Sequence, residues 1–228
     1  MPSIKNIIPG IIALFLSYAA QAQSLKAVQQ IEGIPPKVAY RAIAHDGSGN
    51  LYVATSVDVF MIPSNNNRAQ PMSVGDQIMD VDWSSDYGLI LLSKDGSIRF
   101  TATGKVLTVD AGTGATCMDV TKTMIWVGTN NGVSTVSIPQ EKVVKQYTTA
   151  DGILASNEIT FIHTDPSGIR WIGSRAGVVR IDGKKWKLYE KEQAITGITS
   201  TAEGAWMAAD SNMWLVDAYD RWYPIDAW

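Results

Sequence analysis

Residues Ala155 to Glu190 read ASNEITFIHTDPSGIRWIGSRAGVVRIDGKKWKLYE, and this stretch decides the fold. It holds three short runs of β-branched and aromatic residues, Ile159 to His163, Arg170 to Ser174 and Val178 to Ile181, with a fourth from Lys185 to Glu190. Asp165-Pro166-Ser167-Gly168, Arg175-Ala176-Gly177 and Asp182-Gly183 punctuate them. Runs of this kind between Gly, Pro and Asp turns predict a meander of antiparallel strands. A single four-stranded meander cannot bury both of its faces, so the unit needs neighbours of its own kind.

Those neighbours are present. Aligning on the second run gives Leu51 to Thr55, Leu89 to Ser93, Ile125 to Thr129, Arg170 to Ser174 and Ala205 to Ala209. The anchors Tyr52, Ile90, Trp126, Trp171 and Trp206 lie 38, 36, 45 and 35 residues apart. β-patterned units at such spacing predict propeller blades, and no segment beyond the N-terminal region keeps a helical apolar period. Six residues past each anchor stand Asp58, Gly96, Gly132, Gly177 and Asn212, residue types that tolerate the positive φ of a tight hairpin. Two past each anchor stand Ala54, Leu92, Gly128, Gly173 and Ala208, small in every unit but the second, which lets adjacent blades approach. The first runs are Arg41 to Ala44, Met79 to Trp83, Cys117 to Val120, Ile159 to His163 and Gly197 to Ser200. The weak, mixed-polarity fourth runs suit outer edges.

The composition is ordinary for one all-β domain: 228 residues, 46% hydrophobic, formal net charge −3 and a pI near 5.4. That balance leaves no basic footprint for nucleic acid. The first residues carry Lys5, an apolar run from Ile7 to Leu16 and Ala20-Gln21-Ala22, the plan of a secretory signal peptide cleaved after Ala22. The run is shorter than the roughly 20 residues of a membrane span. The expectation is therefore a signal peptide at 1–22 and a propeller at 23–228, with blades near 38–74, 77–110, 115–148, 155–190 and 196–228. The product would be exported, periplasmic or extracellular, and monomeric, with no membrane span after cleavage. Ser24 to Val38 resembles Lys142 to Asn157, a fourth run leading into the next first run. It would close the ring, add a fifth strand, stay loose, or mark a fragment of a larger ring.

The string Leu154-Ala155-Ser156-Asn157-Glu158-Ile159, followed by Asp165-Pro-Ser-Gly and Trp171-Ile172-Gly173-Ser174, resembles the two-component regulator propeller repeat. The third unit, with IWVGTNNGV at Ile125 to Val133, is similar, and the second departs most. The resemblance implies an extracytoplasmic sensor propeller of the kind joined to hybrid histidine kinases, often in sugar-responsive systems.

Chemistry is sparse. The single cysteine, Cys117, lies in an apolar context, so it reads as buried and inert and excludes an intrachain disulfide. The two histidines, His45 and His163, fall one register apart in their units, which sets them on opposite strand faces and argues against a shared metal. Asp46 and Asp165 open turns and read as turn stabilisers. Asp80 and Asp82 share a strand face but lack the further ligands of a calcium loop. No nucleophile elbow, P-loop or dinucleotide fingerprint occurs. Trp186, Trp214, Trp222, Tyr223 and Trp228 are either rim platforms for glycan or protein, or packing between blades.

The sequence thus predicts an all-β, five-bladed propeller of four-stranded blades, non-enzymatic, without cofactor or metal, binding a glycan or a protein. The alternatives are an enzyme resembling the streptogramin lyases and an assembly protein of the cell envelope. Analogy of fold places a site at the channel mouth, where the first runs begin: Tyr40, Arg41, Asn157, Glu158 and Thr199.

Overall fold

The computed structural model describes residues 31–225 apart from 76, 111, 113, 191–192, 202–203, 210–211 and 218. Five sheets follow one another along the chain, each of four antiparallel strands in sequence order. Blade 1 holds β1 (Tyr40–His45), β2 (Leu51–Thr55), β3 (Val59–Ile62) and β4 (Gln70–Pro71). Blade 2 holds β5 (Ile78–Ser84), β6 (Gly88–Ser93), β7 (Ser97–Phe100) and β8 (Val106–Thr108). Blade 3 holds β9 (Ala115–Val120), β10 (Met124–Thr129), β11 (Gly132–Ser137) and β12 (Lys142–Tyr147). Blade 4 holds β13 (Ile159–Thr164), β14 (Arg170–Ser174), β15 (Gly177–Asp182) and β16 (Lys185–Glu190). Blade 5 holds β17 (Ile195–Thr201), β18 (Gly204–Ala209), β19 (Met213–Val216) and β20 (Trp222–Ile225). The inner strands β1, β5, β9, β13 and β17 pack side by side in that order, as in a β-propeller.

Two local devices recur. The turns after β1 and β13 are closed by an aspartate: Asp46 Oδ1 accepts from Ser48 and Asn50 N–H, and Asp165 Oδ1 from Ser167 and Ile169 N–H. Asp217 does the same for Tyr219 and Arg221. In the turn after the second strand, a buried hydroxyl donates across the hairpin: Thr55 to the Asp58 carbonyl, Thr129 to Gly132 and Ser174 to Gly177. Gly96, Gly132 and Gly177 take positive φ there as expected. Asp58 does not; its carboxylate instead accepts from Val59, Ser73 and Val74 N–H and pins the connection to the next blade.

The seams between blades explain the repeat. A Cβ at Gly128 would lie 2.7 Å from Ile159 Cγ2, and one at Gly173 would lie 3.1 Å from Ile195 Cγ2. Ile159 and Ile195, the first residues of β13 and β17, therefore plug the small position of the blade before them. Ile78 joins Ala54 in one buried cluster in the same way. The second blade inverts the sizes: its Leu92 shares a cluster with Ala115, a large residue facing a small one, so the volume is conserved. Above this level the aromatic anchors lean onto the next blade: Tyr52 stacks on Trp83 at 5.6 Å, and Trp126 meets Trp186 at 6.2 Å. Trp186, Trp214 and Trp222 are thus packing residues; Tyr223 is exposed, and Trp228 lies outside the described residues.

Of the segment resembling a fourth strand, residues 31–38 are described. Glu32 forms a parallel bridge with Arg68, and its carbonyl accepts from Ala69 N–H. This piece lies along the outer part of blade 1, its own neighbour, and Ile34 packs on that blade's apolar face. The proposed signal peptide lies outside the described residues. No helix among them is long and apolar enough to cross a membrane.

Candidate functional site

Propeller sites gather where inner strands converge, so the polar groups on those strands come first. One column faces the next blade: Ala44, Asp82, Asp119, His163 and Thr199, each paired with the second-strand residue at the same level. Asp82 Oδ2 accepts from Val120 N–H at 3.0 Å, and Asp80, two residues earlier, accepts from Met118 N–H at 2.6 Å. Asp119 accepts from the Thr164 N–H and hydroxyl and from Arg170 Nε at 3.3 Å. Arg170 in turn lies 4.3 Å over the Trp126 ring. His163 Nε2 lies 2.9 Å from Ser200 Oγ.

Electrostatics follow from this burial. Desolvation pushes Asp80 up to about 7, although the Met118 N–H works against it and the Asp82 charge works with it. Desolvation also lifts Asp82 to about 6, opposed by the Trp83 and Val120 N–H groups. His163 is lowered, chiefly by burial, and so stays neutral near pH 7. Burial raises the Cys117 thiol, which is the inert state expected for it. Asp46 behaves oppositely to Asp80: burial works to raise it, but bonds from Asn50, Ser48 and Tyr52 outweigh that and hold it low. No grouping of three or more His, Cys, Asp or Glu side chains fit for a metal occurs among the described residues.

The sequence-derived site residues separate into two levels. Tyr40 and Arg41 begin β1, and Asn157 and Glu158 immediately precede β13, so these four lie at the end where inner strands start. Thr199 is the fifth residue of β17 and sits farther along its strand, in the same column as Asp119 and His163. Arg41 donates to the Ile78 carbonyl at 2.7 Å, across the first seam. Asn157 accepts from Thr149 N–H through its side chain and from Gly132 N–H through its carbonyl. Glu158 is ion-paired with Arg175, both exposed. Tyr40 is 41% exposed. Beside Arg41, an open cavity of about 240 Å³ is lined by Val74, Gln77, Ile78, Asp95 and Arg99 among others. A second, of about 350 Å³, opens at the opposite end between Trp83–Asp86 and Val120–Lys122. Sequence reasoning passed over Arg99, whose alternation on β7 turns it outward between buried Ile98 and Phe100.

The sequence matches no family model and no curated protein. Solved structures do match in shape. The extracellular domain of the putative one component system BT4673 from B. thetaiotaomicron superposes with a TM-score of 0.68 at 14% identity, over 82% of this chain and 30% of that one. The extracellular domain of the putative hybrid two component system BT3049 from B. thetaiotaomicron gives 0.67 at 15%, over 90% and 30%. Virginiamycin B lyase from Staphylococcus aureus gives 0.65 at 14%, over 82% and 69%. The chain spans less than a third of the length of these two extracellular domains. The fold expected from the repeat is the fold found: this chain is an all-β, five-bladed propeller with the architecture shared by extracellular domains of two-component systems and by streptogramin-type lyases.

Proposed function

We propose that the chain is an exported binding or sensing module that takes a glycan or a protein at the end of the channel where the inner strands begin. One observation carries the reading: the groups that could do chemistry in the channel already hold the seams. Asp80, Asp82 and Asp119 each accept main-chain N–H groups of the following blade, and His163 is engaged with Ser200. A general base must be free to reach a substrate proton, and these groups are committed across blades. The entry end is more open: Tyr40, Arg41 and Glu158 are exposed there, although Arg41, Asn157 and Glu158 also hold seam, turn and ion-pair contacts, and Arg99 lines the cavity next to the first seam. The same fold in extracellular domains of one component and hybrid two component systems supports such a role.

The test is a glycan array run beside a pull-down from the native envelope fraction, followed by the Arg41→Ala, Glu158→Ala double variant. Loss of the captured ligand, with an unchanged melting temperature, supports the placement; unchanged binding places the site elsewhere. The enzymatic reading keeps one specific support, the lyase of like fold. Turnover of a macrocyclic ester that disappears in His163→Ala would replace the binding module with an enzyme.

A further inference from the structure

Four seams join five blades, and three of them are built from the same complementary parts, the second having its sizes reversed. The outgoing face supplies a small position, an aromatic or apolar anchor and, in three seams, a side-chain donor. That donor is Arg41 to the Ile78 carbonyl, Thr116 to Ile159 and Thr160 to Ile195, always the residue after the inner-strand start reaching the start of the next inner strand. The incoming face supplies the plugging residue and its carbonyl. Ile78, Ile159 and Ile195 are accordingly 2%, 1% and 0% exposed.

Blade 5 carries the outgoing half in full. Cross-strand partners share a sheet face. The row Ile198, Met207 and Trp214 packs toward blade 4, in the cluster of Trp171 and Val178. The opposite face therefore carries Trp206 with Leu215 and Tyr223, and Ala208 with Met213 and Ile225. Ala208 is only half-buried, whereas Ala54, Leu92, Gly128 and Gly173 in the same column are buried. Thr196 stands where Thr116 and Thr160 stand, but among the described residues its hydroxyl turns back to the Ala208 carbonyl of its own blade at 3.3 Å. Among the described residues β17 and β1 do not pack as other neighbouring inner strands do.

We infer that the Trp206–Ala208 face of blade 5 is a docking surface for a four-stranded propeller blade of another polypeptide. The blade it fits begins its inner strand with a β-branched apolar residue, which seats on Ala208 and offers its carbonyl to Thr196. Continuity with the four existing seams selects a blade rather than a helix or a membrane surface. A second copy of this chain presents the wrong half. Its first blade carries Tyr40 in place of isoleucine, and its incoming face, with Val53, Phe60 and Ile62 buried, already holds Ile34. The inference stands whether or not the entry end binds a ligand.

A photoreactive phenylalanine derivative placed at position 208, and separately at 196, in the full chain tests this in the cells that make it, with position 144 on exposed β12 as the control. The expected result is one adduct from both positions, absent from the control, whose partner peptide comes from a polypeptide with blade repeats. An adduct with a second copy, with a protein lacking such repeats, or none at all overturns the inference. Ala208→Arg gives an independent reading. It should leave the melting temperature of the isolated chain unchanged and abolish the adduct formed through position 196, whereas Gly173→Arg, in an occupied seam, should abolish folding. An adduct at 196 that survives Ala208→Arg also overturns it.

Discussion

At the scale of single residues, glycines with the same backbone sign differ sharply in what surrounds them. Gly132 has φ 101°, and a Cβ there would lie 2.1 Å from the Tyr147 carbonyl oxygen. Gly168 has φ 89° with nothing within 4 Å. Gly168→Ala should therefore cost about 1 kcal/mol of backbone strain, and Gly132→Ala roughly 3 kcal/mol or more because main chain must also move; urea melts of the two variants read the difference. Asp80 makes a second prediction. Its folded pKa of about 7 stands above the ordinary 3.8, so the native state holds the proton more tightly than the unfolded chain. Stability linked to it is full below pH 3.8 and falls as pH rises through about 7, and Asp82 adds a like trend toward about 6. Asp80→Asn keeps an oxygen for the Met118 N–H and removes the charge. It should flatten the decline in melting temperature between pH 4 and 7 and raise the melting temperature at pH 8, scaled roughly to the range of these pKa values. A variant whose pH profile matched the parent would remove Asp80 as the source.

At the scale of elements, the seams set the tolerance to substitution. Leu92 and Ala115 fill one space with sizes reversed from the other seams. Leu92→Ala alone should cost about 2–5 kcal/mol through the void it leaves. Adding Ala115→Ile, which restores the isoleucine-on-small pairing of the other blades, should recover much of that loss. A double-mutant cycle without coupling would mean that the two side chains do not share the space. This exchange shows what sequence can carry. Trp171, Gly173 and Gly177 were legible because packing and turn geometry act within one repeat and recur at fixed offsets. The departure of the second unit was visible as Leu92, but its remedy was not, since Ala115 belongs to the next blade and a lone alanine carries no signal. The roles of Asp80, Asp82 and Asp119 were hidden for the same reason: their partners Met118, Val120 and Thr164 lie a whole repeat away. The entry-end residues were placed by analogy, and that analogy held no information about Arg41 bonding to Ile78 or Glu158 pairing with Arg175.

At the scale of the whole molecule, stability is distributed like that of a short one-dimensional array, in which each blade leans on its neighbours. Blades 2, 3 and 4 have two packed neighbours, while blades 1 and 5 have one each among the described residues. Hydrogen exchange in the isolated chain should therefore release the amides of β17–β20 before those of β9–β12, with proteolysis beginning in blade 5. Uniform exchange across the blades would mean a single cooperative unit. The plugging residues give the array a direction in time. Ile78, Ile159 and Ile195 each open a new blade, and each seals the blade already made. A nascent chain leaving the ribosome thus completes one blade's interior with the first residue of the next. Besides the first blade's incoming face, on which Ile34 packs, synthesis from N- to C-terminus leaves one blade face at a time waiting for a neighbour, which keeps apolar surface from accumulating while the chain is still growing.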